Sequence, residues 1–130
     1  MISHLQMITV FVSNMERAVQ FYTEKLGFVV TGTYRDEENY FTWVVPAAAA
    51  TTPHRTAIGL FATTPDDPRL GHSTSGMVFT ADDIEATYRE LKARGVPFTL
   101  DLIRHPYGDG NGDQEARFID LDGNEFLLHT

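Results

Sequence analysis

The sequence contains no cysteine. That excludes disulfides, thiolate metal sites and cysteine nucleophiles, and it suits a reducing compartment. No apolar run approaches the length of a membrane span, and the N-terminus lacks a basic stretch followed by an apolar one. No membrane partner is therefore expected, and the cytoplasm is the expected location. Basic residues are few, 10 against 18 acidic ones, for a net charge of −8. Such a surface repels phosphate backbones, so no nucleic-acid partner is expected either. Also missing are the Gly-x-Ser-x-Gly, P-loop and Gly-x-Gly-x-x-Gly spacings that would announce a nucleophile elbow or a phosphate cradle. "GDGNGD" (108–113) lacks the remainder of a twelve-residue calcium loop and its closing glutamate.

What is present is patterned. Over 130 residues, 42% of them apolar, there is chain enough for one sizeable core. Two segments read alike: "MITVFVSNMERAVQFYTEKLGF" (7–28) and "GMVFTADDIEATYRELKARGV" (76–96). In each, an apolar or alternating strand runs into a helix start. Ser13 with Glu16 reads as a capping box, and Asp82 with Glu85 as its counterpart. Apolar residues continue at helical spacing (Met15, Ala18, Val19, Tyr22, Leu26, then Ile84, Thr87, Tyr88, Leu91), and each helix is expected to stop at a glycine, Gly27 or Gly95.

Three strand-like stretches follow each helix: 28–35, 40–45 and 56–62, then 97–103, 115–120 and 124–129. The Pro- and Gly-bearing segment 63–73 reads as a linker, 45–54 as a mobile loop, and 105–114, with three glycines, as a long hairpin loop. The pattern predicts an α+β fold: one domain over 1–130, made of two tandem βαβββ modules (about 1–62 and 74–130). Alternation in "FIDLDGNEFLLHT" buries Phe126 and Leu128 and turns Glu125, Leu127 and His129 the other way. The same parity sends Ile8, Val10 and Val12 to a helix and leaves Met7, Thr9 and Phe11 on the opposite face. It likewise leaves Gly76, Val78 and Thr80 opposite Met77, Phe79 and Ala81.

The stretches "VSNMERAVQFYTEKLGF", "DDIEATYRELKARGVPF" and "FIDLDGNEFLL", in this order, resemble the vicinal oxygen chelate superfamily. That group includes glyoxalase I, bleomycin-resistance proteins, fosfomycin-resistance proteins and extradiol dioxygenases. The resemblance implies a curved mixed sheet around a cavity with the helices outside, and pairing of two chains into a homodimer. It also implies four metal-ligand positions on the first, fourth, fifth and eighth strands, usually held by His, Gln or Glu. Here they fall on Met7, Gly59, Gly76 and Leu127, and none supplies a donor suited to a hard or borderline divalent ion. No cofactor and no metal are therefore expected at that site. His4 and Gln6 have the wrong parity for the Met7 face, and His54 and His105 fall in loops.

Glu125 and His129 are weak catalytic candidates; four residues apart on one strand, about 13 Å, they cannot act as a hydrogen-bonded acid–base pair. The residues expected to line a ligand cavity are Met7, Thr9, Phe11, Trp43, Val78, Tyr107, Glu125 and Leu127. Two functions are open at this point. One is metal-independent binding and sequestration of a small, partly apolar organic molecule, for which bleomycin-resistance proteins are the precedent. The other is a lyase, isomerase or dioxygenase-like enzyme with a shifted metal site or metal-free acid–base chemistry.

Overall fold

The computed structural model describes residues 1–105 and 113–130. The first half forms β1 (Met7–Val12), α1 (Met15–Gln20), β2 (Phe28–Arg35), β3 (Tyr40–Pro46) and β4 (Ala57–Ala62). The second repeats the order with β5 (Val78–Thr80), α2 (Ile84–Ala93), β6 (Phe98–Arg104), β7 (Gln114–Ile119) and β8 (Glu125–His129). α1 runs on through a π-helical turn, Phe21–Lys25, in which Leu26 N–H reaches back to the Phe21 carbonyl. Gly27 and Gly95 follow the helices with φ of 73° and 84°, the left-handed geometry that ends a helix without a Cβ clash. Among the described residues, no helix is long and apolar enough to cross a membrane.

Each module is a four-stranded sheet, ordered β1-β4-β3-β2 and β5-β8-β7-β6. In both, the first strand runs parallel to the last, and the remaining pairs are antiparallel. Alternation decides the faces. Val10, Val12, Val44, Ile58 and Leu60 of the first sheet are buried, as are Phe118, Phe126 and Leu128 of the second. They join Met15, Ala18, Phe21 and Tyr22 of the first helical segment, and Ile84 and Leu91 of α2, in one core shared by the modules. Aromatic rings bridge it: Tyr22 meets Phe126 at 6.2 Å and Phe28 meets Phe79 at 5.6 Å, both edge to face. The helix-bearing faces of the two sheets thus pack together, and the alternate residues of each strand point to an open face on the far side.

Four local details depart from expectation. The helix caps sit one residue later than the sequence suggested: Asn14 accepts from Arg17 N–H at 3.0 Å and Asp83 from Ala86 N–H at 3.0 Å. Ser13 does not cap because its hydroxyl and its N–H both donate to Asp122 Oδ1 of the C-terminal hairpin. Gly76, expected on the fifth strand, lies in the turn before β5 with φ of 79°. The alanines after Pro46 form a short 3₁₀ turn, Ala47–Ala49, inside the expected loop.

The β7–β8 hairpin holds the modules together. Its turn, Asp120 to Asn124, needs Gly123 at φ 82°. Asp120 Oδ1 accepts from the N–H groups of Asp122 and Asn124, both at 2.9 Å, and Oδ2 accepts from Tyr22 Oη at 2.7 Å and Asn124 Nδ2 at 2.9 Å. Asn124, fully buried, also donates to the Phe11 carbonyl and accepts from Ser73 N–H. Desolvation raises the Asp120 pKa against the pull of these donors, and it raises the Tyr22 phenol too, with the adjacent Asp120 charge adding to the effect. The polar residues of the "DLDGN" stretch are therefore consumed in structure.

Candidate functional site

The open face of the first sheet is aromatic because strand register stacks its rings in rows. Phe11, Phe61 and Phe41 are direct cross-strand partners on β1, β4 and β3. Phe61 packs against Phe11 at 5.5 Å and against Phe41 at 4.6 Å, edge to face, and Trp43 lies beside Phe41 at 5.9 Å with near-parallel planes. All four rings are half-buried. The next row is Thr9, Gly59 and Trp43. Two glycines let the indole and its neighbour settle: a Cβ on Gly32 would meet Trp43 Cε3 at 3.3 Å, and one on Gly59 would meet Met7 Sδ at 2.5 Å. Trp43 Nε1–H donates to that sulfur at 2.8 Å. Arg69 lies over the Phe11 ring at 3.9 Å, held there by paired bonds to Asp67.

The open face of the second sheet is mixed. Val78, Leu127 and Arg117 form a row across β5, β8 and β7. The Arg117 guanidinium sits between Glu115 at 3.8 Å and Glu125 at 3.9 Å. Glu125 also accepts from Thr99 Oγ1 at 2.7 Å, and Glu115 contacts His105 Nε2 at 2.6 Å. A groove of about 470 Å³ runs along this face past Thr74, Val78, Arg117, Glu125 and Leu127. Val78 is half exposed there, 52%.

The residues expected to line a cavity thus divide into two groups. Met7, Thr9, Phe11 and Trp43 share the first face; Val78, Glu125 and Leu127 share the second; Tyr107 lies outside the described residues. Because the shared core separates the sheets' open faces, one chain does not bring the two groups together. His129 and Glu125 stay apart, with His129 Nδ1 on its neighbour's carbonyl at 2.8 Å. Phe41 and Phe61 are among the aromatics that the sequence spreads around a cavity, whereas Arg117 was not among the expected lining residues. Alternation from Phe118 would have placed Arg117 on the open face, and the aromatic row follows from the β1–β4 and β3–β4 registers.

The four ligand positions implied by the fold do not fit a divalent metal. The space at Gly59 is filled by the Met7 thioether, Gly76 is in a turn, and Leu127 has the Arg117 cation as its cross-strand partner. A guanidinium there opposes a second positive charge. Among the described residues, no three His, Asp or Glu side chains are grouped to hold an ion.

Comparison with known proteins agrees with this architecture. Residues 2–128 match the family model described as Glyoxalase/Bleomycin resistance protein/Dioxygenase superfamily. The chain belongs to this superfamily. Among its relatives, YetH of Bacillus subtilis (strain 168), an uncharacterized protein, is 31% identical over 129 residues, 98% of each chain. A superfamily member from Sphaerobacter thermophilus DSM 20745 is 30% identical with a TM-score of 0.77, over 98% of this chain and 97% of that one. TnmS3, an antibiotic binding protein from Streptomyces sp. CB03234, is 29% identical with a TM-score of 0.74, over 98% of this chain and 94% of that one. The superfamily spans binders and enzymes, so function has to be argued from the open faces.

Proposed function

We propose that this protein binds a small, planar and partly apolar organic molecule and returns it chemically unchanged. The carrying observation is the surface of four aromatic rings, Phe11, Phe61, Phe41 and Trp43, on one sheet face. Flat rings offer large contact area at low entropy cost, and each ring pair adds about 0.5–1.5 kcal/mol beyond area alone. The antibiotic binding activity named for TnmS3 supports the same reading. Glu125 is held by Thr99 and faces Arg117, and among the described residues no base is hydrogen-bonded to it.

A homodimer completes the reading. Each chain leaves two sheet faces open, with Val78 and Tyr34 exposed, and a second copy would cover them. Light scattering should give about twice the 14.6 kDa chain mass, and a monomer at micromolar concentration would overturn the pairing. Planar aromatic compounds should quench Trp43, the sole tryptophan, on binding. Tyr107 remains a candidate wall of the site, and Tyr107→Ala should weaken binding by about 1–3 kcal/mol. Mass spectrometry after long incubation should return the ligand intact, with or without added Mn, Ni, Zn or Fe. Turnover that Glu125→Gln abolishes would refute the binding function.

A further inference from the structure

Arg117 is the arginine of the groove on the second sheet, and its fork is not used. Nη1 is 3.9 Å from Glu125 Oε1 and Nη2 is 3.8 Å from Glu115 Oε2, both beyond hydrogen-bond range. Among the described residues none of its N–H donors makes a hydrogen bond. The carboxylates are held back from it by other partners. Glu125 Oε2 accepts from Thr99 Oγ1 of β6 at 2.7 Å, and Glu115 Oε1 contacts His105 Nε2 at 2.6 Å. Strand register sets the spacing: Arg117 is opposite Leu127, and Glu125 is two residues back along β8 on the same face. Of the two gaps beside the guanidinium, the one to Glu125 opens on the groove. Arg117 and Glu125 line it with Thr74, Val78 and Leu127, whereas the Glu115 side chain is only 13% exposed.

We propose that the gap between Arg117 and Glu125 binds a cis-amide edge, the C=O and N–H of a lactam, an imide or a primary carboxamide. The ligand's apolar ring would lie on Val78 and Leu127. The oxygen and nitrogen of an amide are ~2.3 Å apart, from bond lengths of ~1.23 and ~1.33 Å. With the oxygen ~2.9 Å from Nη1 and the nitrogen ~2.9 Å from Oε1, such an edge spans the observed gap with both bonds within ~20° of parallel. Charge selects the same class. Two carboxylates already flank one guanidinium, so a bound carboxylate adds a third negative charge, and an ammonium on Glu125 meets the Arg117 cation. A neutral group that accepts at one atom and donates at the next satisfies both side chains. An open-chain secondary amide does not, because its trans geometry points N–H and C=O in opposite directions. At about 470 Å³ the groove has the size of a small-molecule site. It is on the second sheet and stands whether or not a ligand occupies the aromatic face of the first.

The test uses untagged full-length protein with its methyl resonances assigned. Isocarbostyril, a planar lactam, is titrated beside isocoumarin, the lactone of the same shape with oxygen in place of N–H. The lactam should give saturable shifts at the Val78 and Leu127 methyls. The lactone should bind roughly tenfold or more weakly, because Glu125 then faces a ring oxygen instead of a donor. In Glu125→Met the two should bind nearly equally, and Arg117→Met should weaken the lactam roughly tenfold or more. Benzamide should bind the unmodified protein more tightly than benzoate. Circular dichroism identical to the unmodified protein separates lost contacts from lost folding. Val78 and Leu127 report this groove and Trp43 the aromatic face, so the two sites are scored apart. Equal binding of lactam and lactone, preference for benzoate, selectivity that survives Glu125→Met, or no saturable shift at Val78 and Leu127 overturns the site.

Discussion

Replacing Tyr22 with Phe removes one oxygen from the core and nothing else. The ring is fully buried and its packing against Phe28 and Phe126 is retained. What is lost is the 2.7 Å bond to Asp120 Oδ2. A hydrogen bond to a charged group contributes about 1.5–3 kcal/mol, so a loss of about 2 kcal/mol at pH 7 is expected. For a chain of this length that lowers Tm by about 6–10 °C. The sign of the pH dependence follows from Asp120. Its folded-state pKa is raised, chiefly by desolvation, so its contribution is fully present below the unfolded pKa and is lost as pH rises through the folded value. Removing the tyrosine donor raises that pKa further and enlarges the loss at neutral pH. Below the ordinary carboxylate range Asp120 is protonated in both proteins, and the cost falls to the about 0.5–1.5 kcal/mol of a neutral bond. Urea unfolding of both proteins at steps from pH 7.5 downward measures this. A cost that stays constant across the range would refute the assignment of Asp120 as a buried anion held by Tyr22.

Other perturbations test separate parts of the argument. Gly59→Ala places a methyl 2.5 Å from Met7 Sδ; because a flexible thioether end can move, stability should fall by less than about 1.5 kcal/mol. Trp43 emission should nevertheless shift as its sulfur contact breaks, and an unchanged spectrum would contradict that contact. Asn14→Ala should cost about 0.5–2 kcal/mol as a lost helix cap. Far-ultraviolet circular dichroism with thermal melts would show it, and no effect would return the capping role to Ser13.

Much of the fold was legible because local signals agreed: alternation, helical spacing and terminal glycines each named the same boundaries to within a residue or two. The caps slipped by one since Ser13 is claimed by Asp122, 109 residues away, and no local rule sees that. The site was harder to read. Met7, Thr9 and Phe11 share a face by parity alone, as do Phe41 and Trp43, and the β1–β4 and β3–β4 registers join them with Phe61 into one surface. Arg117 was missed because an arginine on a strand reads as solvent-facing by default, and its setting between Glu115 and Glu125 arises only when β7 and β8 align.

The hairpin turn at 120–124 has a consequence for biosynthesis. Asp122 and Asn124 grip Ser13 and Phe11, so β1 is anchored by residues made 109 and 113 positions later. Until those residues emerge, the first sheet has its own strand pairs, but its helix-bearing face lacks the second module's aromatic cover. The nascent chain must then carry an uncovered apolar surface while the second module is being made, the state in which chains associate wrongly or recruit chaperones. Truncation before β7 would leave the first sheet without its fastening.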